Sequence, residues 1–278
     1  MDILLISTTD LGGRSDLRER MLASMTASQR MLPQDKLTLA LLYQNCRADD
    51  LAALAPGLPS FVAPLAIDRR ISLSAARNML LRRARMPADG IVAFPDDDCW
   101  YPEGFLVEVV ALFKREATLD FWFCRYGSAP TLSPRLDANL HPAPMSRIVR
   151  NASSNTIFMR GSVVAAVGEF DEALGVGTKL GGSEDLDFAV RAAASARRIV
   201  YDDGVLVGHR DKDAKLRARY YPSSLIVLAR HVRLGTGYEF VRKLAVGAVL
   251  LLRRELSWAD FWHALRGARG QMRGRRSA

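Results

Sequence analysis

The chain has 278 residues, of which 49% are hydrophobic and 25% charged, a composition typical of a globular protein and not of a disordered one. The formal net charge is +9, and the ten Lys or Arg against three Asp or Glu from His231 onward place +7 of it in the last part of the chain. The longest apolar run, residues 244–252, is far shorter than the ~20 residues that a spanning helix needs, and the first ten residues lack the basic segment of a signal peptide. We therefore expect no membrane span.

Strands and helices are predicted to alternate through the first hundred residues. Short apolar, β-rich runs indicate strands, and stretches with apolar residues at helical spacing indicate helices. The predicted strands cover residues 3–7, 37–43, 61–63 and 91–94, and the predicted helices begin after a candidate cap at Ser15, near 49–54 and at 74–85. This alternation predicts an α/β fold with a doubly wound, mostly parallel central sheet flanked by helices, in which ligands bind at the carboxyl ends of the strands.

The pattern becomes less regular after residue 105. Strands are predicted at residues 121–124 and 156–159, joined by a loop of about thirty residues, a length that usually indicates a functional or mobile segment. A helix is predicted after Ser183, followed by two short strands at residues 198–201 and 205–207. From about Tyr220 onward the sequence predicts helices alone, which gives the fold a helical C-terminal extension.

Three consecutive aspartates, Asp96, Asp97 and Asp98, follow the predicted strand at residues 91–94. Two like charges about 4 Å apart repel by roughly 1 kcal/mol in water and about 4 kcal/mol in a partly buried setting. One interpretation is a solvated polar turn that closes the strand. The other is a divalent cation, Mg²⁺ or Mn²⁺, because hard cations prefer oxygen ligands and bridge to substrate phosphates. Side chains alternate in direction along an extended segment, so Asp96 and Asp98 are expected to point to the same side.

A second acidic cluster lies in the segment GGSEDLDFAVR, residues 181–191. Ser183 is a candidate N-cap, acidic residues favour a helix start, and Asp187 can pair with Arg191 four residues on. The same segment has a second interpretation, since a carboxylate at a glycine-framed helix start is well placed to act as a general base. His209, at the end of a predicted strand, is either structural or a metal ligand, and the second role requires it to meet Asp98 in space.

Taken in order, four segments resemble the GT-A-fold, family 2-like glycosyltransferases, which are inverting transferases that use nucleotide sugars. LLISTTD resembles the nucleotide-binding opening of that family, SLSAARNMLLRRA its Ala-Arg-Asn helix, and IVAFPDDDCWYP its DxD strand with the proline that follows. VGEFDEALGVGTKLGGSEDLDFAVR resembles the acceptor-side motif, and VGHR supplies the expected histidine. The resemblance spans residues 1–215 and, as an ordered set of motifs, is fairly specific.

The resemblance implies a role for each matching residue. Asp185 would be the general base and Glu184 its acceptor-binding neighbour. Asp98 and His209 would hold a Mg²⁺ or Mn²⁺ cofactor on the diphosphate. Thr8 and Arg77 would lie on the nucleotide side, and Asp96 would contact the ribose or the donor sugar. Asp97 and, outside the matched motifs, Gln44 are further candidates for donor binding.

Two segments depart from the pattern of the family. The family usually opens with Pro-Thr-Tyr-Asn, whereas this chain has STTD at residues 7–10 and so lacks the aromatic residue beside the base. The second strand ends in YQN, residues 43–45, and not in the aspartates that read the base. Gln44 or Asn45 can still form a hydrogen bond to a base edge, but uridine is not fixed as the nucleotide.

The last part of the chain combines apolar and basic residues. Residues 238–254 form a helix-compatible apolar segment bracketed by basic pairs, and Ser257 is a candidate cap for a second helix with Trp258, Trp262 and several arginines. Helices of this type suit a membrane surface with anionic lipid, and packing on the catalytic domain or on a dimer partner is the alternative. We expect a cytoplasmic protein with peripheral contact to the inner face of the cell membrane. Its oligomeric state is not predicted.

The leading hypothesis is an inverting, metal-dependent glycosyltransferase that moves a sugar from a nucleoside-diphosphate sugar to a saccharide or lipid-linked saccharide in bacterial surface or exopolysaccharide synthesis. The expected parts are a GT-A catalytic domain at residues 1–215, with a nucleotide-sugar half at 1–104 and an acceptor half at 105–215, and a basic amphipathic helical tail at 216–278. One alternative is a nucleotidyltransferase, for which LGGR at residues 11–14 is a faint match to a glycine-rich loop. Others are a non-catalytic nucleotide-sugar-binding protein and a nucleic-acid-binding protein, although the last leaves both acidic clusters unexplained.

Overall fold

The computed structural model describes residues 1–13, 15–131, 136, 140–211 and 216–274. Arg14 of the LGGR segment and the last four residues of the basic tail lie outside the described residues. The strands of the described part are β1 (Asp2–Asp10), β2 (Lys36–Gln44), β3 (Val62–Ala66), β4 (Ile91–Ala93), β5 (Phe121–Gly127), β6 (Leu140–Pro142), β7 (Ile157–Arg160) and β8 (Ile199–Gly208). They form one sheet in the order β3-β2-β1-β4-β7-β5-β8-β6.

Helices cover this sheet and follow it at the C-terminus. They are α1 (Ser15–Met31), α2 (Ala48–Leu54), α3 (Leu73–Arg83), α4 (Phe105–Arg115), α5 (Met145–Asn151), α6 (Gly161–Val167), α7 (Glu184–Ser195), α8 (Leu216–Arg219), α9 (Tyr221–Arg230), α10 (Gly237–Leu252) and α11 (Trp258–Gly274). Two separate clusters of buried apolar side chains line the two faces of the sheet. The mostly parallel α/β architecture with a helical C-terminal extension is the one predicted.

The first half of the chain folds as its sequence predicts. β1 pairs in parallel with both β2 and β4, and β2 pairs in parallel with β3, so the carboxyl ends of these strands share one edge of the sheet. The strands at the centre are almost continuously apolar because helices bury both of their faces. Each predicted element exists, with boundaries shifted by a few residues, and Ser15 is the first residue of α1 and not a cap outside it.

The second half differs from its prediction in three places. Residues 105–115, where the pattern looked irregular, form the amphipathic helix α4. The long loop predicted before residue 156 contains β6 and α5. The two short strands predicted after residue 197 form one strand, β8. Residues 202–204 make an irregularity in its pairing with β5, and Asp202 Oδ1 accepts a hydrogen bond from the Gly204 N–H there at 2.7 Å.

The three last helices pack on the body of the protein, which was the alternative interpretation of the basic tail. Tyr221 and Leu225 of α9 form an apolar cluster with Leu250 of α10 and with α11. The buried Glu239 of α10 accepts a hydrogen bond from Arg150 of α5 at 2.7 Å. The predicted Ser257 cap is confirmed, since its Oγ accepts a hydrogen bond from the Asp260 N–H at 3.0 Å. None of the helices in the described residues is long and apolar enough to cross a bilayer.

Candidate active site

Asp98 and His209 lie side by side at the carboxyl edge of the sheet, as the metal-ligand interpretation of His209 requires. The segment after β4 pairs with the end of β8, since the Trp100 N–H donates to the Gly208 carbonyl at 2.9 Å and the Gly208 N–H donates to the Trp100 carbonyl at 2.8 Å. Asp98 Oδ1 is 3.0 Å from His209 Nε2. This bridge therefore joins two motifs that are far apart in the sequence.

Glycine at position 208 is required for this approach. A Cβ atom there would lie 2.0 Å from Cε2 of the Trp100 indole, a distance at which one of the two groups must move. The indole is itself held in place, because the Arg20 guanidinium lies 3.6 Å from the centroid of its ring. Any side chain at Gly208 is expected to push the Trp100 segment, and with it Asp98, away from His209.

Asp96, Asp98 and His209 form a set of ligand atoms that fits a divalent cation. One atom from each lies within 4.8 Å of the others. His209 Nδ1 is 2.9 Å from the Arg210 carbonyl oxygen, so the neutral ring keeps its proton on Nδ1 and presents the Nε2 lone pair to Asp98. Nε2 makes no hydrogen bond with any described residue. Two carboxylates and an imidazole are a donor set that Mn²⁺ or Mg²⁺ accepts.

The environment of His209 favours positive charge at Nε2. Burial lowers the pKa of His209, but the Asp98 carboxylate outweighs burial and the net shift of the pKa is upward. The Arg210 guanidinium lies 3.4 Å from the second oxygen of Asp98. A proton or a metal ion at Nε2 therefore relieves the conflict between the imidazole lone pair and the carboxylate.

Asp96 is held by Asn155, a residue that the sequence analysis did not identify. Asn155 Nδ2 donates to Asp96 Oδ2 at 2.9 Å, and the Asp96 N–H donates to Asn155 Oδ1 at 2.7 Å. Asn155 is buried between α5 and β7. It stands in the plain loop sequence Ser153-Ser154-Asn155, which offers no signal for a contact with a residue so distant in the chain.

Arg77, which was predicted on the nucleotide side, lies buried between the two acidic clusters. Its side chain is 1% exposed. Nη2 donates to Asp96 Oδ1 at 2.8 Å, and Nη1 lies 3.6 Å from Glu184 Oε1. The guanidinium therefore contacts both acidic clusters from the buried side of the cleft.

The rest of the Ala-Arg-Asn helix, α3, fixes the approach to α7. Ser74 Oγ donates to the Leu174 carbonyl at 2.7 Å, and Asn78 exchanges hydrogen bonds with the backbone of Phe170 at 2.8 and 3.0 Å. These contacts hold the GEFDEAL segment against α3. One helix thus positions both the aspartates after β4 and the start of α7.

Glu184 and Asp185 begin α7 and line the same cleft as Asp96 and His209. Burial raises the pKa of Glu184 to about 7, and the Asp185 carboxylate adds to the shift while Arg77 opposes it. Burial likewise raises the pKa of Asp185, although its Oδ1 accepts a hydrogen bond from the Leu186 N–H at 2.7 Å. A raised pKa makes each of these carboxylates a stronger proton acceptor than an ordinary surface carboxylate.

Ser183 is at the N-cap position of α7, but its side chain does not cap the helix. Its φ of 69° is in the left-handed region, which is uncommon for a residue other than glycine. The hydroxyl lies instead 3.0 Å from Ser223 Oγ of α9. Tyr220 and Ser224, around the start of α9, line the cleft as well, so the C-terminal helices complete the site.

The predicted nucleotide side forms a cavity of about 430 Å³ at the ends of β1 and β2. Thr9 Oγ1 donates to Asp97 Oδ2 at 2.8 Å, which joins the end of β1 to the aspartates after β4. Gln44 Oε1 accepts the Ile71 N–H at 2.8 Å, so its amide NH₂ is the group that remains for a ligand. The predicted donor residues that line this cavity are Thr8, Gln44, Asp96 and Asp97. Asn45, the alternative base reader, donates to Asp10 instead.

Asp187 belongs to a separate ion cluster that faces away from the cleft. The predicted pair with Arg191 is confirmed, with Nε 2.8 Å from Asp187 Oδ2. Asp187 Oδ1 is also 2.8 Å from His231 Nε2 and 3.2 Å from Arg230 Nη1, both at the end of α9. Burial raises the pKa of Asp187, but these partners outweigh it and bring the pKa down to about 2.

The chain is similar to solved structures of glycosyltransferases. S. aureus TarS 1-349 in complex with UDP-GlcNAc has 16% sequence identity and a TM-score of 0.64 over 99% of this chain and 82% of that chain. A mannosyltransferase, PcManGT from Pyrobaculum calidifontis in complex with GDP-Man and Mn²⁺, has 14% identity and a TM-score of 0.59 over 97% of this chain and 86% of that chain. The longer S. aureus TarS is covered over 43% of its length, with a TM-score of 0.60.

No protein-family model matches the chain, and no curated protein matches it in sequence. At 14–16% identity, similarity to the solved structures shows the fold and not the activity. The eight-stranded sheet, its helices and the C-terminal extension therefore have the GT-A glycosyltransferase fold.

Proposed function

We propose that the chain is an inverting, metal-dependent glycosyltransferase that moves a sugar from a nucleoside-diphosphate sugar to a saccharide or lipid-linked saccharide in the synthesis of a surface or exopolysaccharide glycan. The observation that carries the proposal is the Asp96, Asp98 and His209 set, of which Asp96 and His209 line one cleft with Glu184 and Asp185. Structural similarity to transferases with bound UDP-GlcNAc, or with GDP-Man and Mn²⁺, supports the same donor class.

On the donor side, Asp98 and His209 hold the cation and Asp96 completes the set. A bound Mg²⁺ or Mn²⁺ supplies Lewis-acid stabilisation of the charge that collects on the leaving diphosphate. Asn155 and Arg77 fix the orientation of Asp96 through hydrogen bonds to its two carboxylate oxygens, which makes Arg77 a positioning residue. Thr8 and Asp97 lie along the cavity wall where the nucleotide binds.

On the acceptor side, Asp185 is the general base and Glu184 orients the acceptor. The acceptor hydroxyl gives its proton to the Asp185 carboxylate while its oxygen bonds to the anomeric carbon, and the bond from that carbon to the diphosphate oxygen breaks. Attack from the face opposite the leaving group inverts the anomeric carbon. A positioned carboxylate of this kind contributes typically 10²–10⁴-fold to the rate.

Gln44 is the proposed contact for the base. Its oxygen accepts the Ile71 N–H, and its NH₂ group can donate to a carbonyl oxygen or to a ring nitrogen of a base. The similar structures hold UDP-GlcNAc and GDP-Man, so we place uridine and guanosine diphosphate sugars ahead of other donors.

Thermal stabilisation by a panel of UDP-, GDP- and ADP-sugars, with and without Mn²⁺, tests the proposal, because a ligand that binds only the folded state raises its stability. We expect stabilisation by UDP- or GDP-sugars that requires Mn²⁺, that is lost in Asp98→Ala and that is kept in Asp185→Asn. Asp68→Asn, an exposed aspartate outside the cleft, is the matched control. Stabilisation that is equal without metal, or unchanged in Asp98→Ala, would contradict the proposal. Release of pyrophosphate from a nucleoside triphosphate and a sugar phosphate would favour the nucleotidyltransferase instead.

A further inference from the structure

The side of α10 that faces solvent is mostly apolar, with Arg242 at its edge in a salt bridge to the buried Glu239. Gly247 and Leu250 face the body of the protein, and the opposite side exposes an apolar row along the whole helix. The row consists of Tyr238, Val241, Ala245, Ala248, Val249 and Leu252. Tyr238 is 70% exposed and Leu252 is 84% exposed. A helix on the surface of a soluble domain normally has polar residues on this side, so the row indicates an interaction surface.

α11 exposes tryptophans and arginines instead. Trp258 and Trp262 are one turn apart and are 65% and 53% exposed. Arg266 and Arg269 are exposed on the same side of the helix. The opposite side of α11 is buried against α9. The aromatic and basic character of this face is therefore not needed for packing within the chain.

The two helices form a hairpin, residues 237–274, whose orientation on α9 is fixed. A Cβ at Gly247 of α10 would lie 2.1 Å from the Tyr221 hydroxyl of α9 and 2.8 Å from the ring of Phe261 of α11, so the three helices are in close contact. The turn of the hairpin adds two exposed cations, Arg253 and Arg254, directly after Leu252, and one exposed acid, Glu255. The turn therefore carries a net positive charge.

We propose that this hairpin surface docks the protein on a bilayer that contains anionic lipid. An apolar row for the acyl boundary, tryptophans for the interface and cations for the headgroups are the features of a helix pair that lies in a membrane surface. A second copy of the chain fits less well as the occupant, since a twofold interface would bring the cations of this surface against one another. The inference goes beyond sugar transfer and does not depend on it.

Docking through the hairpin also sets the position of the cleft. Tyr220 and Ser224, at the start of α9, line the cleft, and the rest of α9 carries the hairpin. A single short helix therefore separates the docked surface from Asp185. In this arrangement an acceptor that is held in the membrane would reach the cleft from its α9 side.

Co-sedimentation of the whole chain with vesicles tests the inference. Vesicles of phosphatidylcholine alone are compared with vesicles that also contain phosphatidylglycerol. We expect binding to the second kind only. The double variant Arg253→Glu/Arg254→Glu should weaken it ~10-fold or more, because each cation near an anionic surface contributes about fivefold. Leu252→Glu should weaken it by a similar factor, because it replaces an exposed apolar side chain of the row with a negative charge. Met31→Glu and Arg85→Glu, exposed residues on α1 and after α3, are the matched controls and should bind as the wild type does.

Several outcomes would overturn the inference. Equal binding to both kinds of vesicle, or binding that the two hairpin variants leave unchanged, would contradict it. A concentration-dependent dimer that Leu252→Glu dissociates, without vesicle binding, would assign the surface to a second copy. Retention on RNA without vesicle binding would assign it to nucleic acid. Sugar transfer to a soluble acceptor is measured in parallel, so that failure of docking and failure of the proposed function are distinguished.

Discussion

The first turn of α7 carries two kinds of carboxylate that differ in their partners. Glu184 and Asp185 face the cleft, where burial raises both pKa values and Arg77 offsets the shift only in part. Asp187, on the other side of the same turn, is also buried, yet Arg191 and the end of α9 bring its pKa to about 2. Burial penalises all three charges, and the number of cationic partners decides the outcome. The paired carboxylate stabilises the fold, and the two underpaired carboxylates are available for chemistry.

The largest effect is expected from Asp185→Asn. The amide keeps the shape of the carboxylate but cannot accept a proton, so the rate of transfer should fall by ~10²–10⁴-fold. Donor binding should be unchanged, because the cation set lies across the cleft. Measurement of kcat and of donor affinity in the same preparation checks both statements, and normal turnover would show that Asp185 is not the base.

The next effect is on stability and comes from Asp187→Asn. Removal of one member of a buried ion pair leaves the others uncompensated, so the free energy of unfolding should fall by about 3–5 kcal/mol. Because the pKa of Asp187 is lowered by folding, its contribution is present above about pH 4 and is lost as the pH falls toward 2. Urea unfolding at several pH values measures this.

Glu169→Gln is the matched control for the buried pair. Glu169 and Arg82 form two hydrogen bonds of 2.6 Å, shorter than those of Asp187, but both side chains are about half exposed. Solvent screens such a pair, and its loss should have little effect on unfolding. A loss of stability as large as that of Asp187→Asn would mean that geometry, and not burial among cations, sets the contribution.

The smallest effect is expected from Glu184→Gln, which tests a carboxylate of the cleft and not the buried ion cluster. Folding raises the pKa of Glu184 from its ordinary value of about 4.5 to about 7, so its contribution to stability is complete below about pH 4.5 and is lost as the pH rises through 7. Glu184→Gln should therefore be more stable than the wild type at about pH 8, by about 1–3 kcal/mol. Thermal unfolding over this pH range measures it. Lower stability of the variant at all pH values would mean that the contact with Arg77 dominates.

The strands and helices of the first half were predictable because β-rich runs and helical spacing alternate there without interruption. Later predictions failed where local signals conflict with tertiary contacts. Residues 202–204 were predicted to separate two strands, but the structure has one strand there, whose pairing with β5 skips from Tyr201 to Val205 while β6 pairs with Asp202. Ser183 reads as a cap, but contact with α9 turns its hydroxyl away from the helix.

The residue types of the site were predictable, but the residues that hold them in place were less so. The meeting of Asp98 and His209 followed from the order of motifs that resembles a known family, and no spacing rule alone would have given it. Asn155 carries no signal in its own segment, because its role depends on a contact between the loop after α5 and the aspartates after β4. Arg77 was identified, but the Ala-Arg-Asn motif does not predict its burial, because that burial depends on how the sheet and helices pack.

Binding of Mn²⁺ to the protein with a nucleoside diphosphate present tests the central claim most directly, since Asp96, Asp98 and His209 are the proposed ligands. Electron paramagnetic resonance of free Mn²⁺ should show one bound ion per wild-type chain and per Asp68→Asn chain. The account predicts loss of this binding in Asp98→Asn and in His209→Gln. Undiminished binding of Mn²⁺ by both of those variants would contradict it.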